Sequence, residues 1–164
     1  MFDPETLSLA KALLAACRAR GWRLATAESC TGGLVAAALT AIPGSSEVFE
    51  RGFVTYSNAA KMELLAVPAA TLEAHGAISA ETAAAMAQGA VLHARVDLAV
   101  SVTGIAGPGA GSATKPVGSV YLGVARREGV HKTEHRIFSG DRAAVREAAL
   151  RLALGLLKAE AEAG

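Results

Sequence analysis

The chain has 164 residues, 52% of them hydrophobic and 19% charged, with a formal net charge of +1. That length suits one domain spanning residues 1–164, with apolar material for a core and too little charge for disorder. Scattered basic residues argue against a nucleic-acid surface, and no apolar run is long enough to cross a bilayer.

Asp3-Pro4 reads as an N-cap followed by proline at the first helical position. The helix runs through Leu7, Ala10, Leu13, Leu14 and Cys17 and stops near Gly21. A strand covers about residues 22–28, and a second helix starts within Thr31-Gly32-Gly33 and ends before Pro43-Gly44. Phe49 to Tyr56 favours extended structure. Asn58 reads as the N-cap of a helix through Lys61, Met62 and Leu65, which Val67-Pro68 breaks. Ser79 caps another helix reaching about Ala94. Asp97 to Thr103 is a continuous apolar strand, expected at the sheet centre. A glycine- and proline-rich loop, Gly104 to Gly118, follows. Strands at Ser119–Arg126 and Lys132–Phe138 flank a hairpin turn, and a last helix begins near Asp141.

Strands alternate with helices until the closing hairpin. The pattern predicts a three-layer α/β/α sandwich on a mixed, mostly parallel central sheet, with the antiparallel part at one edge. Only 4% of residues are aromatic, so the core should be aliphatic and closely packed through small side chains. Cys17 and Cys30 sit in unlike contexts, which favours free thiols in a reducing cytoplasm. The acidic N-terminus lacks the basic start of a signal peptide. Metal-ligand spacings such as CxxC or HExxH are absent, so no metal is expected.

In such sheets ligands bind at the carboxyl ends of strands. Three loops qualify: Glu28–Gly33, Tyr56-Ser57-Asn58 and Thr103–Gly118. The first joins a hydroxyl, Ser29, to the amides of Thr31, Gly32 and Gly33 at a helix start. These can hold a phosphate or an oxyanion, or simply cap and pack the helix. In the second, Lys61 lies in a first helical turn, where the dipole and burial both push its pKa down and fit it to act as a base. Tyr56 can relay a proton or orient that lysine. A solvated lysine and an edge tyrosine are the ordinary alternatives. The third loop offers backbone donors or is merely flexible, and Lys115 and Arg142 can add charge near a phosphate. Cys30 is a rival nucleophile, but alternation along an extended segment should keep it out of Ser29's pocket.

TAESCTGG at 26–33, GFVTYSNAAK at 52–61, AVSVTGIAGPGAGSATKPVGSVYLG at 99–123 and FSGDR at 138–142 follow in this order. Together they resemble the C-terminal domain of the CinA (competence/damage-inducible protein) family. Its stand-alone members are nicotinamide-nucleotide amidohydrolases, or nicotinamide mononucleotide deamidases. The resemblance implies an α/β/α sandwich, a homo-oligomer (dimer or trimer), and hydrolysis of the nucleotide's carboxamide to the acid and ammonia without a metal or organic cofactor. It matches Ser29 to the nucleophile and Tyr56 and Lys61 to its catalytic partners. Thr103, Gly104, Gly107 and Arg142 match positions of the substrate pocket. The additional N-terminal domain of longer relatives, linked to ADP-ribose hydrolysis, is not among these residues, so that activity is not expected.

The expected mechanism is attack by Ser29 with neutral Lys61 as base, aided by Tyr56. The amides near Thr31–Gly33, with those of the Thr103 loop, stabilise the oxyanion. The expected partner is a small-molecule nucleotide, with no nucleic acid and no membrane. The competing expectation is a non-catalytic nucleotide-binding or protein-interaction module linked to competence or DNA damage, using the same glycine loops.

Overall fold

The computed structural model describes residues 1–163, and of His131 the backbone only. Helix α1 (Pro4–Arg20) starts at Asp3, whose carboxylate accepts from the Thr6 amide, and ends at Gly21 in the left-handed region. Then follow β1 (Leu24–Glu28), α2 (Leu34–Thr40), a 3-10 turn (Ser45–Glu47), β2 (Phe49–Val54), α3 (Asn58–Leu65) and α4 (Ala69–His75). Helix α5 (Ala80–Ala94), β3 (Leu98–Gly104), β4 (Ser119–Arg126), β5 (Gly129–Ile137) and α6 (Arg142–Glu162) complete the order.

The five strands form one sheet in the order β2-β1-β3-β4-β5. The β1–β2 and β1–β3 pairs are parallel, and β3–β4 and β4–β5 are antiparallel. The mixed sheet and closing hairpin are therefore as expected. Glu28 pairs with Val54 on one side and Val102 on the other, so β1, β2 and β3 deliver their following loops to one sheet end. The β1–β2 ladder slips once: Leu24 pairs with Phe49 but Ala25 with Arg51, leaving Glu50 as an extra residue. Phe49 consequently packs on one face of the sheet and Phe53 on the other, although their even spacing would otherwise put them together.

Helices α1, α2 and α6 cover one face, where Leu13, Leu39, Leu154 and Leu157 meet Leu24, Val100 and Leu122. Helices α3 and α5 cover the other, where Leu65, Met86 and Ala90 meet Ala25, Ala27, Ala99 and Ala125. The sheet residues facing α5 are small, so α5 lies close. Ser101 donates to the Ala83 carbonyl and accepts from the Gly123 amide, tying α5 to β3 and β4.

Two local expectations are corrected. The N-cap of α3 is Ser57, not Asn58. Ser57 keeps an extended backbone and its hydroxyl accepts from the Ala60 amide at 3.0 Å, which leaves Asn58 as the first helical residue. Helix α4 was not expected, because it buries none of its residues and so carries no apolar stripe to read. Among the described residues no helix is long and apolar enough to cross a membrane.

Helices α3 and α5 touch through Gly89, where an added Cβ would overlap the Leu65 carbonyl. Alanine gains about 1 kcal/mol in helix propensity, but overpacking against backbone costs about 1–3 kcal/mol. Gly89→Ala is therefore expected to destabilise the protein, as a lower urea midpoint with unchanged slope; a rise in stability would contradict this packing.

Candidate active site

Ser29 follows the last residue of β1, and its amide donates to the Val102 carbonyl at 2.9 Å. On the other side the Thr55 amide donates to the Glu28 carbonyl at 2.8 Å. The sheet ladder is thus prolonged by one bond each way, which fixes both chain ends. Lys61 is the fourth residue of α3. Helical side chains lean toward the N-terminus, so its amine reaches back over the strand end that its own helix has just left. Its Nζ lies 3.0 Å from Ser29 Oγ, 2.8 Å from the Thr55 carbonyl and 3.4 Å from the Tyr56 carbonyl.

Ser29 is 8% exposed and Lys61 1% exposed. Burial lowers the lysine pKa below its ordinary 10.5, with nearby Cys30 acting weakly in the opposite sense. Burial pushes the Cys30 thiol up to about 11, so it is protonated at neutral pH and a poor nucleophile. Cys30 nevertheless lines the same cavity as Ser29, contrary to expectation. The two residues lie in a turn rather than on extended chain, so strand alternation does not separate them. Both cysteines are free thiols.

The cavity is about 210 Å³ and brings together Ser29, Tyr56, Lys61, Gly104, Gly107 and Arg142. Tyr56 is 62% exposed at its rim. Its hydroxyl accepts from Arg142 Nη2 at 3.0 Å, and only its carbonyl meets Lys61. Arg142 Nη1 donates to the Gly107 carbonyl at 2.8 Å. The loops after β1, β2 and β3 and the start of α6 therefore meet around one space. A second cavity of about 240 Å³, between the N-terminus and α6, contains no nucleophile paired with a base.

Thr31, Gly32, Gly33 and Thr103 are not brought to the wall of the serine's cavity. The reason is a residue that the sequence reading missed. Glu28, fully buried, accepts from Thr26 Oγ1 at 3.2 Å, Thr31 Oγ1 at 2.8 Å, the Val35 amide at 2.9 Å and the Ala36 amide at 3.0 Å. Its carboxylate fills the start of α2, which the reading left open for a ligand. The Gly32 amide donates to the Ser29 carbonyl, and the Thr103 hydroxyl donates to the Ala77 carbonyl. An acid ending an otherwise apolar strand just before a helix was the available signal. Among the described residues no group of three His, Cys, Asp or Glu side chains is placed to hold a metal.

The native state releases the Lys61 proton below the pH at which the unfolded chain does, so stability rises with pH between the lowered value and 10.5. Relative to Lys61→Met, the wild type should gain stability between about pH 6 and about pH 10. Urea unfolding at both pH values checks this, and a constant difference would contradict a depressed lysine.

The family model for the CinA C-terminal domain matches residues 6–161. The nicotinamide-nucleotide amidohydrolase PncC of Escherichia coli is 50% identical over 157 residues, covering 96% of this chain and 95% of that protein. The enzyme of the same name from Enterobacter agglomerans is 58% identical over 132 residues, covering 80% of each. A competence-damage inducible protein of Caldicellulosiruptor bescii is 55% identical, but the chain spans only 33% of its length. The crystal structure of the competence/damage inducible protein CihA from Agrobacterium tumefaciens superposes with a TM-score of 0.91 at 46% identity, covering 97% of both chains. A CinA superfamily protein from Klebsiella pneumoniae superposes with a TM-score of 0.92 at 38% identity, covering 97% of this chain and 99% of that one. Fold, motif order and sequence identity agree: this chain belongs to the CinA C-terminal domain family.

Proposed function

We propose that this chain is a nicotinamide-nucleotide amidohydrolase, converting nicotinamide mononucleotide to nicotinic acid mononucleotide and ammonia through an acyl-serine at Ser29. The observation that carries the mechanism is the 3.0 Å contact between Lys61 Nζ and Ser29 Oγ inside a buried pocket. A neutral amine has two N–H groups and one lone pair. The Thr55 and Tyr56 carbonyls can only accept, so they take the two N–H groups. The lone pair is then left facing Ser29, whose hydroxyl donates to it.

Ser29 Oγ attacks the carboxamide carbon as its proton passes to Lys61. The resulting ammonium hands that proton to the departing nitrogen, and ammonia leaves. Water then attacks the acyl-serine, Lys61 again takes the proton, and the proton returns to Ser29. The role of Tyr56 is orientation of the lysine through its carbonyl. The Val35 and Ala36 amides serve Glu28, which leaves the loop after β3, where Ala106 and Gly107 line the pocket, to supply oxyanion donors. A binding module would have no use for a buried amine against a serine. Residues 1–164 act as one unit in this reading. Two free thiols support a reducing, cytoplasmic setting, and exposed Met62, Leu64 and Leu92 support a homo-oligomer.

Ammonia release from nicotinamide mononucleotide tests the proposal. Ser29→Ala should abolish turnover, and Lys61→Met should lower kcat by about 10²–10⁴-fold; wild-type rates in either would refute the roles given. The neutral lysine is the active form, so kcat/KM should rise with pH to a midpoint below 10.5. Tyr56→Phe removes only one hydroxyl contact and should cost less than about tenfold. A loss as large as that of Lys61→Met would assign the phenol a proton-transfer role instead.

A further inference from the structure

The turn that carries Ser29 is gripped from outside the pocket. Arg146, in the second turn of α6, donates from Nε to the Cys30 carbonyl at 3.1 Å and from Nη2 to the Thr31 carbonyl at 3.1 Å. These carbonyls belong to the two residues that follow Ser29, 116 and 115 positions away in the chain. A Cβ at Gly32 would lie 3.5 Å from Nη2, so the guanidinium rests against the bare face of that glycine. Arg146 does not line the serine's cavity; it borders the one beside the N-terminus.

No other group duplicates these contacts. Glu28 holds the far part of the turn through the Thr31 hydroxyl and the Val35 and Ala36 amides. The Gly32 amide closes on the Ser29 carbonyl, and the Leu34 amide on the Thr31 carbonyl. Among the described residues only Arg146 donates to the Cys30 carbonyl, and Cys30 is buried. A buried carbonyl that loses its donor must turn to find another. That movement turns the peptide one residue beyond Ser29 and carries Oγ away from its 3.0 Å contact with Lys61 Nζ. Val145, Ala149 and Leu150 are buried in the core, so α6 gives the guanidinium a fixed base.

We propose that Arg146 is a positioning residue, which sets the Ser29 hydroxyl against Lys61 by gripping the two carbonyls after it and touches no substrate. This deepens the amidohydrolase reading and rests on it for the roles of Ser29 and Lys61. Two N–H groups of one planar fork fix the orientation of a peptide as well as its place, which a lysine ammonium does less well.

Steady-state kinetics on nicotinamide mononucleotide test this in wild type, Arg146→Met and Arg146→Lys, each at a temperature where urea titration shows it folded. In Arg146→Met, kcat should fall about 10- to 100-fold while KM stays within about threefold of wild type. Lysine should restore part of kcat. Calorimetry should give the nucleotide equal affinity for Ser29→Ala and Ser29→Ala/Arg146→Met. A merely structural residue would lower the urea midpoint and leave turnover of the folded enzyme alone. A kcat within about twofold of wild type in Arg146→Met, a loss carried by KM, unequal affinities or full recovery with lysine therefore overturns the proposal. If Arg146→Met does not fold, Arg146→Lys decides by the same split: reduced kcat at constant KM supports the role, and wild-type kcat overturns it. If the wild type releases no ammonia, the amidohydrolase reading fails, and amide exchange still decides whether Arg146 holds the turn. The Gly32 and Leu34 amides should then exchange faster in the variant while β3 does not, and equal exchange would overturn the proposal.

Discussion

A lysine amine taken out of water must have its polar capacity met, or the chain would not fold around it. Here two main-chain carbonyls and one hydroxyl surround Lys61 Nζ. Those acceptors serve both protonation states, because an ammonium would donate to all three. The carbonyls belong to the two residues after β2, and the hydroxyl to the residue after β1. The contact therefore exists only because β1 and β2 run parallel and end level with each other.

Charge is divided between the two sides of the Ser29 turn. On the α2 side Glu28 supplies a fixed anion, fully paired with main-chain and threonine donors. On the pocket side the groups are an amine depressed by burial and a guanidinium with neutral partners. Glu28 thus occupies the Val35 and Ala36 amides at the helix start. It also braces the turn that carries Ser29, since Thr31, Val35 and Ala36 all converge on its carboxylate.

Much of this was legible in the sequence. Caps at Asp3 and Ser79, the apolar run of β3 and the closing hairpin identified most elements, because each depends on local chemistry. Ser29 and Lys61 were legible as a pair, since both follow strand ends and the lysine sits in a first helical turn. Long-range geometry was not. Nothing local tells whether the amides after Ser29 face a ligand or an internal carboxylate, and the extended-strand rule misplaced Cys30. The Tyr56 hydroxyl points to Arg142, 86 positions along the chain, a contact that no spacing rule anticipates. Helix α4 escaped because periodicity reads burial, and this helix has none.

The extra residue at Glu50 has a bearing on how the chain tolerates change. Outer strands are ordinarily where insertions and deletions do least harm. In this molecule the irregularity acts as a phase shifter: it turns over everything between Arg51 and the end of β2 relative to Phe49. Removing it, or adding a second, would rotate the Thr55 and Tyr56 peptides away from the buried amine while the hydrophobic layers still closed. The outermost strand of this sheet is thus length-locked by the chemistry at its far end.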